Sequence, residues 1–176
     1  LAWILAWMVG VLVGARAAES VPREQKFDRE IEAMVSGDTT NAPPAGGIVF
    51  TGSSSIRVWK TLTRDMEGLP VINRGFGGSE MSDLNRYASR IVVPLRPRVV
   101  VVYEGDNDLA GGKKIEVLLE DYRRFVALMR ESLPGTRIVF LAVKPSPSRR
   151  SILEKQQGFN RRLKEMVAGN PMVRIV

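Results

Sequence analysis

The run Val99-Val100-Val101-Val102-Tyr103 can be placed in few environments. A strand with one wet face alternates apolar and polar residues, whereas four consecutive valines require burial on both faces, as in the middle of a parallel sheet. β-Branched side chains also weigh against a helix there. Parallel strands need crossover connections, so helices must lie between this strand and its neighbours. The rest of the chain supplies them. Strand patterns at Ile48–Thr51, Leu69–Asn73, Ile138–Val143 and Met172–Val176 flank the valine run. Helical periodicity falls between them, at Ser54–Thr63, Met81–Val93, Lys114–Ser132 and Ser151–Ala168. An amphipathic helix over Val21–Val35, with Phe27, Ile31, Met34 and Val35 on one face, precedes the first strand, and Ser36–Gly47 is expected to be a loop. The expected fold is α/β: three layers, a central parallel sheet of about five strands and helices on both faces.

At 176 residues and 44% hydrophobic composition, the chain has enough apolar material for one domain, taken as 19–176. Its N-terminal apolar stretch Leu1–Gly14, followed by Ala15-Arg16-Ala17-Ala18, has the pattern of a secretory leader (1–18) lacking its charged start. It is short for a membrane span, although an N-terminal anchor is the alternative. Export to the periplasm or medium is therefore expected. The net charge of +7 is spread in runs of no more than two basic residues, which favours a solvated surface over a nucleic-acid site. There is no Cys and no His, so thiolate chemistry and an imidazole base are absent from these residues.

The chemistry is concentrated at strand ends. In an open parallel sheet, ligands bind beyond the carboxyl edge of the strands, and three strands end there in unusual turns: Gly52-Ser53-Ser54-Ser55, Gly75-Phe76-Gly77-Gly78-Ser79 and Gly105-Asp106-Asn107-Asp108. A serine at such a strand-to-helix turn is either a helix cap or a nucleophile. Backbone N–H groups at Ser54 and Gly78 and the side-chain amide of Asn107 are the donors an oxyanion would need. Each glycine could merely shape a turn, and Asn107 and Asp108 could merely cap a helix. Together the three turns point to acyl transfer.

FTGSSSIRVW, NRGFGGS and GDND, in this order, resemble the first three blocks of the SGNH (GDSL-type) hydrolases, in a bacterial subgroup carrying GSSS, to which KPSPSR is also similar. The resemblance covers roughly 27–176. It implies a flavodoxin-like fold with Ser54 as nucleophile, Gly78 and Asn107 in the oxyanion hole, and hydrolysis of a carboxylic ester through an acyl-enzyme. The ester could belong to a lipid, an acetylated sugar or a small molecule. The resemblance implies no metal or organic cofactor. The partner would be a small ester substrate, without nucleic acid, and with room for transient contact with a membrane or polysaccharide surface. The family's Asp before the nucleophile is Ser53 here, and its fourth block, Asp-x-x-His, is missing. In the family that block follows the fifth strand, so the catalytic Asp and His are expected downstream of Val176. The alternative is a non-catalytic domain binding a carbohydrate or an anion, for which Gly111-Gly112-Lys113-Lys114 would serve.

Overall fold

The computed structural model describes residues 25–176, so the expected leader and the start of the first expected helix lie outside the described residues. Five strands, β1 (Ile48–Gly52), β2 (Val71–Gly75), β3 (Val99–Tyr103), β4 (Arg137–Phe140) and β5 (Val173–Ile175), form one sheet in the order β2-β1-β3-β4-β5. Every pairing is parallel. The valine run is the middle strand of the five, and Val100 and Val102 are fully buried on one face while Val101 and Tyr103 are buried on the other.

The two faces are covered unequally. Four longer helices, α1 (Asp28–Thr40), α4 (Met81–Ile91), α6 (Ile115–Ser132) and α7 (Leu153–Val167), pack with Val49, Val100, Val102, Ile138 and Phe140 in the larger core. Tyr122, Phe140 and Phe159 meet edge to face within it, with ring centroids 4.7 and 5.4 Å apart. Two short helices, α2 (Ser54–Arg57) and α3 (Leu62–Asp65), cover Phe50, Val101 and Tyr103 on the opposite face. A further short helix, α5 (Asp106–Ala110), begins inside the turn after β3. Among the described residues, no helix is long and apolar enough to cross a membrane.

Several elements differ from their expected spans, and each difference has a local cause. Helix α1 runs on to Thr40 through a segment expected to be loop. Gly37 does not end it, because Asp38, the next residue, pairs with the buried Arg74 of β2. The expected helix over 54–63 divides into α2 and α3. The Asn73 amide donates to the Ile56 carbonyl at 2.7 Å, and the Trp59 indole donates to Asp65 at 2.7 Å, tying down the break. β2 starts two residues later than expected and ends at Gly75, whose N–H donates to the Asn73 side chain at 2.9 Å. β4 is shorter than the apolar run that suggested it, ending at Phe140.

Candidate active site

The strand order reverses direction beside β1, which has β2 on one side and β3 on the other. A crevice forms at such a switch point, beyond the carboxyl ends of the strands. The register aligns those ends: Gly52 sits opposite Gly75 on β2 and opposite Tyr103 on β3. The three unusual turns therefore leave the sheet side by side. Two backbone hydrogen bonds continue past the strands, from Ser53 N–H to the Tyr103 carbonyl (3.0 Å) and from Phe76 N–H to the Gly52 carbonyl (2.9 Å).

The three serines of the first turn have different surroundings. Ser53 is the residue before α2; it is buried, and its side chain makes no capping bond. Ser55 is half-buried beside the Tyr103 phenol. Ser54 is the first residue of α2 and is exposed, and no group among the described residues hydrogen-bonds its hydroxyl. A cap must precede the first helical residue, so Ser54 is not one. Its backbone N–H likewise reaches no acceptor among the described residues.

The second turn brings Gly78 to the same edge at φ +74, a conformation that a side chain would strain. Its N–H also lacks an acceptor among the described residues. Asn107, in the third turn, donates from Nδ2 to the carbonyl of Ser79 at 2.8 Å, linking the second and third turns directly. An amide nitrogen carries two hydrogens, so one remains for a ligand. The amide orientation is fixed from both ends, because Arg149 donates to Asn107 Oδ1 at 3.3 Å.

Arg149 comes from the KPSPSR segment after β4 and also pairs with Asp106 at 3.2 Å; Gln156 of α7 donates to the same carboxylate at 2.9 Å. The GDND turn is thus held by two elements distant in sequence. Asp108 does not cap the following helix. It is fully buried, accepts from the Met81 N–H at the start of α4 (3.2 Å), and pairs with Lys113 at 2.6 Å. Burial raises its pKa against the opposing pull of Lys113. Lys113 also bridges Glu80 (3.2 Å) and Asp121 (3.1 Å). Burial works to lower its pKa, but the hydrogen bonds and charges of Asp108 and Asp121 outweigh that and raise it. Three carboxylates therefore occupy Lys113, the first of the two lysines in GGKK. Beneath the turns, Glu104 is fully buried and its carboxyl lies 2.5 Å from the Ser79 hydroxyl.

Beside Ser54 lies an open trough of about 480 Å³ lined by Ser55, Ile56, Trp59, Tyr103, Leu141, Ala142 and Lys144. It is walled mainly by apolar and aromatic side chains, with Lys144 6.0 Å from the centre of the Tyr103 ring. Burial raises the Tyr103 phenol's pKa. No group of three or more metal-ligating side chains occurs among the described residues.

Sequence spacing pointed to Ser54, Gly78 and Asn107, and the fold brings their turns to one edge. Spacing did not point to Ser79, Glu104 or Arg149. Ser79 closes the NRGFGGS block, and Glu104 adjoins GDND, where a polar side chain directly after a buried strand was the one available signal. Arg149 offered none beyond its place in KPSPSR.

The chain is an α/β protein with a parallel sheet in this order and, at its switch point, N–H groups and a serine hydroxyl that have no partner among the described residues. The chain belongs to the GDSL-like lipase/acylhydrolase family, whose model matches residues 45–173. Solved structures share the fold. A GDSL-like lipase from Bacteroides thetaiotaomicron superposes with a TM-score of 0.69 at 21% identity, over 82% of this chain and 76% of that one. A lipase from a goat rumen metagenome gives 0.57 at 18%, over 75% and 80%. An acetyl xylan esterase from Geobacillus stearothermophilus gives 0.52 at 15%, over 70% and 73%. No curated protein matches the chain.

Proposed function

We propose that this chain carries the nucleophile and oxyanion site of a serine-dependent ester hydrolase. The observation that supports it most is the meeting, on adjacent strand ends, of Ser54 with three N–H donors, all without partners among the described residues. In this reading Ser54 Oγ attacks the ester carbonyl carbon and passes its proton to a general base. The former carbonyl oxygen, now negative, is held by the N–H groups of Ser54 and Gly78 and the second hydrogen of Asn107 Nδ2. Collapse expels the alcohol, which takes the proton back, and water then resolves the acyl-enzyme by the same route.

The sequence contains no histidine, so an imidazole base is not supplied by these 176 residues. We place it, with its orienting carboxylate, in an Asp-x-x-His block following β5. These 176 residues alone are expected to hydrolyse p-nitrophenyl acetate at no more than a trace rate, and adding the downstream block is expected to create turnover. Robust hydrolysis by the 176 residues, lost in Ser54→Ala, would show that another base operates.

Asn107→Ala removes one donor and is expected to lower kcat by about 10²–10³. The effect should fall on kcat rather than KM, because the hydrogen bond forms to the oxyanion and not to the ground-state carbonyl. Steady-state kinetics at saturating ester checks this; a rise in KM alone would make Asn107 a substrate-binding group instead.

The trough beside Ser54 suits an apolar acyl or ring portion of the substrate, with the ester at its inner end. Neighbours of this fold include lipases and an acetyl xylan esterase, so lipid and acetylated-sugar esters are the substrate classes to test first. The N-terminal pattern supports an exported protein.

A further inference from the structure

Glu104 is fully buried directly behind the turns that carry Gly78 and Asn107. Among the described residues its carboxyl makes one hydrogen bond, Oε1 to Ser79 Oγ at 2.5 Å, and Oε2 has no hydrogen-bond partner. Ser79 Oγ also lies 3.1 Å from the Phe76 carbonyl. A hydroxyl has one hydrogen and cannot donate to both. If Glu104 were ionised, Ser79 would serve one acceptor and leave the other facing a lone pair. A buried carboxylate oxygen would also remain with no donor, a costly arrangement. If Glu104 is protonated, its O–H donates to Ser79 Oγ, the Ser79 hydroxyl donates to Phe76, and Oε2 is an ordinary neutral carbonyl. Every hydrogen is then accounted for.

Ser79 follows Gly78 in the chain, and its carbonyl receives the Asn107 amide. The Glu104 backbone is held in turn, since its carbonyl accepts from the Tyr122 hydroxyl at 2.9 Å. We propose that Glu104 is a neutral, hydrogen-bond-donating carboxyl that positions both the Gly78 and the Asn107 arms of the oxyanion site through Ser79. It is a positioning residue, and the role rests on the reading of those two arms as oxyanion donors. Burial is the main force that raises its pKa; Ser79 opposes it, and Asp108, Asp83 and Glu80 add to it. Lys113 faces the same cluster but is committed to Asp108, Asp121 and Glu80, and Tyr122 meets only the Glu104 backbone.

The test uses Glu104→Gln, which keeps a donor at Ser79 but cannot ionise, and Glu104→Leu, which removes the donor. A carboxyl protonated when folded and ionised when unfolded makes unfolding easier as pH rises from the ordinary glutamate value of 4.5 towards its raised folded value. Relative to Glu104→Gln, the unfolding constant of the parent chain should therefore grow about tenfold per pH unit above that point. A flat ratio overturns the neutral carboxyl. Hydrogen exchange of the Asn107 side-chain amide, followed by NMR, reads the positioning. Exchange should accelerate in Glu104→Leu and return towards the parent rate in Glu104→Gln; unchanged exchange in Glu104→Leu overturns it. Neither measurement needs turnover. If both hold while Ser54→Ala leaves ester hydrolysis of the longer chain intact, the hydrolase reading fails and the role of Glu104 in ordering this edge stands.

Discussion

Ser54→Ala, in a chain that carries the Asp-x-x-His block proposed above, is expected to lower kcat for p-nitrophenyl acetate by about 10⁶. The melting temperature should stay within about 1–2 °C of the parent, since an exposed substitution usually changes stability by less than about 0.5 kcal/mol. The size follows from the chemistry: without a hydroxyl there is no acyl-enzyme, and only the oxyanion site's weak assistance to direct attack by water remains. The neutrality follows from the structure, where Ser54 is exposed and its hydroxyl bonds nothing among the described residues. The adjacent serines provide the contrast. Ser55→Ala removes a half-buried hydroxyl beside Tyr103 and should cost far less activity, while Ser53→Ala alters a buried site and should be read first in stability. If Ser54→Ala retains turnover and Ser55→Ala loses it, the nucleophile has been assigned one residue too early.

Gly52→Ala is expected to be among the most destabilising single changes in the domain, at roughly 4 kcal/mol or more, a large share of the ~5–15 kcal/mol that keeps a domain folded. Gly52 has φ +118, and a Cβ built on it would lie 2.1 Å from the Tyr103 carbonyl oxygen and 2.8 Å from its carbon. Those are backbone atoms of the neighbouring strand, so relief requires parting β1 from β3 where Ser53 N–H bonds that same carbonyl. The clash and the left-handed conformation act together. Gly37, inside α1, is the matched control: nothing lies within 4 Å of its would-be Cβ, and Gly37→Ala should stabilise by about 0.5–1 kcal/mol. Urea unfolding of both variants checks the pair. Equal stability for Gly52→Ala and the parent would mean that the β1–β3 spacing is not fixed as described.

Much of the fold could be read from the sequence because it rests on local pattern. The valine run specified a strand buried on both faces, and it is the central strand of the observed sheet. The stripe of Leu84, Tyr87, Ile91 and Val92 and that of Ile115, Leu118, Tyr122, Phe125, Val126 and Met129 specified helices that pack on the larger core, with Ile115 and Val126 only half-buried. Element ends were less legible, because tertiary contacts set them. Arg74 extends α1 by pairing with Asp38, and Asn73 divides 54–63 by taking the Ile56 carbonyl. In both cases a partner on β2, distant in sequence, outweighs local preference.

At the site, the sequence by itself determined the ingredients: a serine after a β-strand, a glycine-rich turn and an Asn in a GDND turn, in an order that matched one family. It could not say whether Ser54 caps the helix, because that depends on which residue starts it. It could not connect Asn107 to Ser79, or Arg149 to Asn107, because those bonds join segments 28 and 42 residues apart. Only the tertiary structure decided these points. Strand order brings three turns to one edge, and burial then dictates which polar groups must pair with one another and which are left free for a substrate.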